Sequence, residues 1–175
     1  MTAVDTGLFV LRLVVGALLI GHALQKATGA FGGDGYASMA ALFDRLGFRP
    51  GQITVTIAIT AELGGGALLV LGLFTPLAAA ALAGTLIVAA SVHWPNGVWG
   101  SKGGYELPGA LAAAAVALAL IGPGRFALDH ALGIYPAEWV RWSAAAVGIA
   151  AGLGFVAAKP LMMRLGSSEA GPKAR

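Results

Sequence analysis

The sequence predicts an all-α fold, a polytopic bundle of membrane-spanning helices, and three observations carry that prediction. Hydrophobic residues make up 58% of the chain and charged residues only 11%, against about 25% charged in a soluble domain. Mean hydropathy is +0.82. Several apolar runs also reach the ~20 residues needed to cross a bilayer. A water-soluble domain of this size would lack the polar side chains to cover its surface.

The elements follow in order. Segment one, about Asp5 to Gln25, is apolar except for Arg12, His22 and Gln25, and Asp5 or Thr6 can cap its start. In the connection that follows, Tyr36, Met39, Ala40, Phe43 and Leu46 recur at helical spacing. They predict a short amphipathic helix, Gly35 to Leu46, lying on the membrane surface. Segment two, about Gln52 to Phe74, carries Glu62 near its middle, followed by Gly64, Gly65 and Gly66. Small residues let membrane helices approach closely, so this glycine run reads as a packing feature. Only Phe74-Thr75-Pro76 separates it from segment three, about Pro76 to Trp94, which makes the two an antiparallel hairpin. Segment four, about Glu106 to Ile121, has Pro108 in its first turn and is broken by Gly122-Pro123-Gly124. Phe126, Leu128 and Leu132 then predict a second interfacial stretch. Segment five, about Ala137 to Ala158, opens with Trp139 and Trp142, which suit a membrane interface. The last ten or so residues are polar and expected to be mobile.

Composition also excludes whole classes of function. With no cysteine, disulfides, thiol redox catalysis and cysteine-ligated clusters are ruled out. The pI of 9.6 reflects scarce charge rather than a nucleic-acid surface, because the basic residues sit at the ends of apolar runs. Met1 to Thr6 lacks the positive region and cleavage site of a signal peptide, so the first run is expected to be retained. With five spans, one side receives Lys26, Arg45, Arg49, Lys102, Lys159, Arg164, Lys173 and Arg175, and the other receives Arg125. This asymmetry predicts an outside N-terminus and a cytoplasmic C-terminus. The Ala- and Gly-rich composition fits a GC-rich bacterial genome, and hence a bacterial inner membrane.

Charge inside a bilayer is costly and points to function or to packing. Arg12 lies about seven residues into segment one and Glu62 about ten into segment two, near mid-depth at ~1.5 Å per residue. The expectation is an Arg12–Glu62 pair, which either fixes helix register or takes part in chemistry. His22 and Lys26 share a helix face. With His93, Lys102, Tyr105 and Glu106 they fall at helix ends on one membrane side. Such a set supports proton transfer: His22, His93, Glu106 and Glu62 as proton-handling groups, and Arg12, Lys26, Lys102 and Tyr105 as ligand-binding groups. A quinone headgroup or a small acidic substrate is the candidate ligand. A metal on His22, His93, Glu62 and Glu106 is the weaker alternative, because no tight ligand spacing occurs.

These residues resemble the DoxX family. The resemblance lies in Leu11-Arg12-Leu13, Gly21-His22-Ala23-Leu24-Gln25-Lys26, Ala61-Glu62-Leu63-Gly64-Gly65 and Gly72-Leu73-Phe74-Thr75-Pro76. Val92-His93, Gly103-Gly104-Tyr105-Glu106-Leu107-Pro108 and Gly122-Pro123-Gly124-Arg125-Phe126-Ala127-Leu128-Asp129 continue it over about residues 5 to 130. The resemblance implies a bacterial inner-membrane protein with a four-helix core over residues 1–130. Residues 131–175 add a fifth transmembrane helix and a basic tail, which depart from the family pattern. It also implies kinship to the membrane subunits of thiosulfate:quinone oxidoreductase and to a membrane oxidoreductase complex with a superoxide dismutase and a sulfurtransferase. The expected function is therefore a membrane subunit of a quinone-linked redox system. The alternatives are a non-enzymatic organiser and, less favoured, a small-solute or proton transporter. The expected partners are the lipid bilayer and other membrane or membrane-associated proteins, with residues 137–158 as the docking helix through Gly148, Ala151 and Gly152. No nucleic acid is expected.

Overall fold

The computed structural model describes residues 2–168 and the side chains of 2–165. Lys173, Arg175 and the rest of the polar tail lie outside the described residues. Eight α-helices occur among those described: α1 (Ala3–Thr28), α2 (Gly35–Arg45), α3 (Gly51–Leu71), α4 (Thr75–His93), α5 (Glu106–Ile121), α6 (Leu128–Ala131), α7 (Glu138–Ala157) and α8 (Lys159–Ser168). No strand occurs among these residues, so the chain is an all-α bundle. α1, α3, α7 and Thr75–Asn96, which continues α4, are long and apolar enough to cross a membrane. α5 is apolar but has only 16 residues, a rise of about 24 Å against a hydrocarbon core of about 30 Å.

α1 begins earlier than its apolar run. The Thr2 hydroxyl accepts the Asp5 N–H at 3.3 Å, and the Asp5 carboxylate accepts the Thr2 N–H at 3.0 Å. Neither Asp5 nor Thr6 is the cap; Thr2 is, with Asp5 closing a capping box.

Close helix contacts set the topology. α1 and α3 are antiparallel, with Gly16 against Gly66 and Arg12 against Gly72. A Cβ on Gly66 would lie 2.8 Å from the Gly16 carbonyl oxygen, so only glycines permit this approach. The Gly64–Gly66 run is thus split in its use: Gly65 packs on Leu82, Gly66 on α1, and Gly64 meets nothing within 4 Å. α7 runs parallel to α4 with Gly148 on Ala80 and Gly152 on Gly84. The expectation that Gly148 and Gly152 seat another protein is corrected here, because α4 of the same chain already occupies them. α5 packs against α4 and α7. Leu19, Leu69, Leu82, Leu118, Ala115 and Ala119 fill the centre, while Val10, Val14, Ile53, Ile57, Val147 and Leu153 face outward. α8 returns to the α2–α3 turn, where Phe48 stacks on Phe155 and the Lys159 ammonium lies over the Phe48 ring. The bundle therefore has an α2 end and, opposite it, an α6 end.

Candidate functional site

Glu62 is in the middle of α3, with a side chain only 4% accessible, and it forms an ion pair with Lys26 at 2.6 Å. Lys26 belongs to the last turn of α1. Side chains on a helix tilt towards its N-terminus, so Lys26 reaches back into the bundle instead of out to the headgroups. Its ammonium also lies 3.5 Å from the His22 carbonyl oxygen. His22 Nδ1 is 3.0 Å from Gln25 Oε1. Removing either member of a buried pair costs about 3–5 kcal/mol, because the survivor stays desolvated.

The pair opens onto a cleft of about 620 Å³ between α3, α4 and α7. Ile57 and Ala61 form one wall, Ala81 and Thr85 the floor, and Val147 and Ala151 the other wall. Lys26 and Glu62 are the only charged side chains on its lining among the described residues. Of the hydroxyls on it, Thr85 bonds the Ala81 carbonyl and Thr54 the Phe48 carbonyl. The cleft extends from Phe155 near the α2 end to Trp139 near the α6 end. Exposed Ile57, Leu77 and Val147 on its rim show that it opens sideways, towards lipid. An amphiphile with one polar head and an apolar body matches that lining.

The expected Arg12–Glu62 pair does not form. Arg12, fully buried, donates to the Leu69 carbonyl at 3.3 Å and to the Phe126 carbonyl. Asp129, itself fully buried, is near enough for its charge to act favourably on that of Arg12. The Asp129 carboxylate accepts the backbone N–H of Phe74 at 2.7 Å and of Thr75 at 2.9 Å, and so caps α4 from a distant loop. Phe74 has φ +48°, a backbone region unfavourable for a bulky residue, and the Asp129 contact holds it there. Arg12 and Glu62 were misaligned because α1 runs about two turns past the end of α3. That overhang sets Arg12 beside Gly72 and leaves Glu62 level with His22 and Lys26. Asp129 is the buried capping residue that the sequence did not single out. The sequence masks this role, because Thr75 ahead of Pro76 looks like a local cap, whereas Phe74 holds the cap position and Thr75 lies inside α4.

The other expected site residues are taken up locally. His93 Nδ1 lies 2.9 Å from the Gly103 carbonyl oxygen, and the Tyr105 ring stacks on Trp94 at 4.7 Å. The Glu106 carboxylate accepts the Gly100 N–H at 2.8 Å, and Lys102 is exposed. His93, Lys102, Tyr105 and Glu106 thus build the α4–α5 connection, and none of them lines the cleft. Among the described residues no three His, Asp or Glu side chains gather around one point.

No curated protein and no solved structure matches the chain. A family model, DoxX, matches residues 7–94. That stretch contains α1 to α4, and with them Arg12, Lys26 and Glu62, while Asp129, α5 and α7 lie beyond it. The match covers half of the sequence, and the motifs around Arg12, Lys26 and Glu62 lie inside it: the chain belongs to the DoxX family.

Proposed function

We propose that this membrane protein is a subunit of a redox system in a bacterial inner membrane, N-terminus outside, and that its lateral cleft holds a quinone. The observation that carries the reading is the Lys26–Glu62 pair, the only charged side chains among the described residues on the lining of a mainly apolar cleft. A quinone enters from the bilayer and needs one polar contact for its ring oxygens, with apolar walls for its body. In this reading the Lys26 ammonium donates to a ring oxygen. Glu62 exchanges a proton with the ring as its oxidation state changes, and His22 relays that proton. With no cysteine in the sequence, electrons come from a partner protein. Arg12 acts through the fold, and His93, Lys102, Tyr105 and Glu106 act through the α4–α5 connection.

The test is saturable binding of a short-chain quinone analogue to the purified protein, followed by calorimetry. Ala151→Phe fills the cleft from an exposed wall position and should abolish binding, and Lys26→Gln should weaken it about tenfold or more, one lost charged hydrogen bond being worth about 1.5–3 kcal/mol. No saturable binding by the parent protein, or equal binding by both variants, overturns the proposal and leaves a non-enzymatic organiser of a membrane complex as the reading.

A further inference from the structure

The connection between α4 and α5 shows a combination that an aqueous loop does not need. Its backbone is closed on itself. The N–H groups of Lys102 and Gly104 bond the Trp99 carbonyl, that of Tyr105 the Gly97 carbonyl at 3.1 Å, and that of Glu106 the Val98 carbonyl at 2.8 Å. The Glu106 carboxylate takes the Gly100 N–H, and the Gly103 carbonyl accepts from Asn96 Nδ2 at 3.1 Å. A Cβ on Gly104 would lie 2.3 Å from the Gly97 carbonyl oxygen, so the two arms of the loop touch. Its large apolar side chains point outward. Trp94 is 65% exposed, Val98 44% and Trp99 63%.

Backbone that enters a water-poor layer must satisfy its own polar groups, whereas backbone in water need not. Indole rings favour the headgroup level, where their apolar faces and N–H groups are both accommodated. The loop also leads into α5, an apolar helix of 16 residues, whose rise of about 24 Å is less than the ~30 Å hydrocarbon core. Lys102 on the loop is exposed, where a lipid phosphate can meet it. The other two tryptophans, Trp139 and Trp142, are exposed at the opposite end of the bundle. All four tryptophans of the chain therefore fall in two bands, one at each end.

We infer that the 94–105 loop is a rigid interfacial anchor that inserts Trp94, Val98 and Trp99 into the lipid headgroup layer and sets the depth of the short helix α5. The occupant of this surface is lipid. A docked protein is the competing outcome.

The experiment uses the full chain in phosphatidylcholine vesicles, with helicity of each variant checked by circular dichroism. A variant retaining only Trp99 (Trp94→Phe, Trp139→Phe, Trp142→Phe) should emit at short wavelength. It should be quenched strongly by lipid brominated near the headgroup, weakly by lipid brominated near the chain terminus, and little by acrylamide. Because the chain has no cysteine, Val98→Cys and Lys102→Cys each introduce a unique thiol and leave all tryptophans in place. In opened vesicles a charged maleimide should label Lys102→Cys and spare Val98→Cys. Equal labelling of the two, or Trp99 emission quenched by acrylamide and not by brominated lipid, puts the loop in water and overturns the inference in favour of a protein-docking surface.

Discussion

Asp129→Ala removes the carboxylate that caps α4, and its cost can be worked from the contacts. The carboxylate is fully buried, accepts N–H groups at 2.7 and 2.9 Å, and faces the charge of fully buried Arg12. Each hydrogen bond to a charged group is worth about 1.5–3 kcal/mol, and orphaning a buried charge costs about 3–5 kcal/mol. Both figures describe the same carboxylate and overlap, so the expected loss is about 3–5 kcal/mol, a factor of about 10² to 10³ or more in the folding equilibrium at ~1.4 kcal/mol per decade. The assay is a sodium dodecyl sulfate titration of the protein in mixed micelles, followed by helicity. Asp129→Asn keeps one acceptor and should lose less. In the Asp129→Ala background Arg12 is already uncompensated, so Arg12→Met should cost less there than in the parent chain. A loss for Asp129→Ala within about 0.5 kcal/mol, as for an ordinary surface substitution, would refute the capping argument.

The same titration checks the remaining expectations. Lys26→Met leaves Glu62 buried and alone and should cost about 3–5 kcal/mol, while Lys26→Met combined with Glu62→Leu should recover most of it; simple addition of the two losses would show that they do not act as a pair. Gly148→Ala places a Cβ 2.4 Å from the Ala80 carbonyl oxygen and should cost about 1–3 kcal/mol by forcing α7 off α4, whereas Gly154→Ala meets nothing within 4 Å and should be neutral. Gly72→Ala should be the most damaging of the glycine changes, since its φ is +67° and the new Cβ would lie 2.0 Å from Arg12 Nη1; a neutral result would show that Arg12 moves aside at no cost.

Much of the architecture was readable from the chain because hydropathy and helix breakers act locally. Glu106–Ile121 coincides with the expected segment four, and Gly35–Arg45 with the expected short helix to within a residue. Glu62 and Lys26 were both singled out as polar intrusions, and both line the cleft. Their pairing was not legible. Which residues of two antiparallel helices face one another depends on how far one slides past the other, and α1 with 26 residues overhangs α3 with 21. Equal depth counted from the two helix starts therefore matched Arg12 with Glu62, although Arg12 belongs to the opposite end of the bundle. The gathering of His93, Tyr105 and Glu106 near Lys26 failed for a related reason. Residues at neighbouring helix ends can spend their polar groups on the turn they sit in, and these three do. The cleft was invisible for want of any pattern that says α7 leans on α4 and stands apart from α3.

The long reach of Asp129 also bears on how the chain is made. The hairpin of α3 and α4 leaves the ribosome well before residue 129, with the first amide groups of α4 lacking their acceptor and Arg12 lacking its counter-charge. Until the later segment is in place, those groups need water or lipid headgroups as partners, since a buried polar group without one is costly. The stretch that carries the family signature, residues 7–94, thus holds polar groups on Arg12, Phe74 and Thr75 whose partners Phe126 and Asp129 lie outside it.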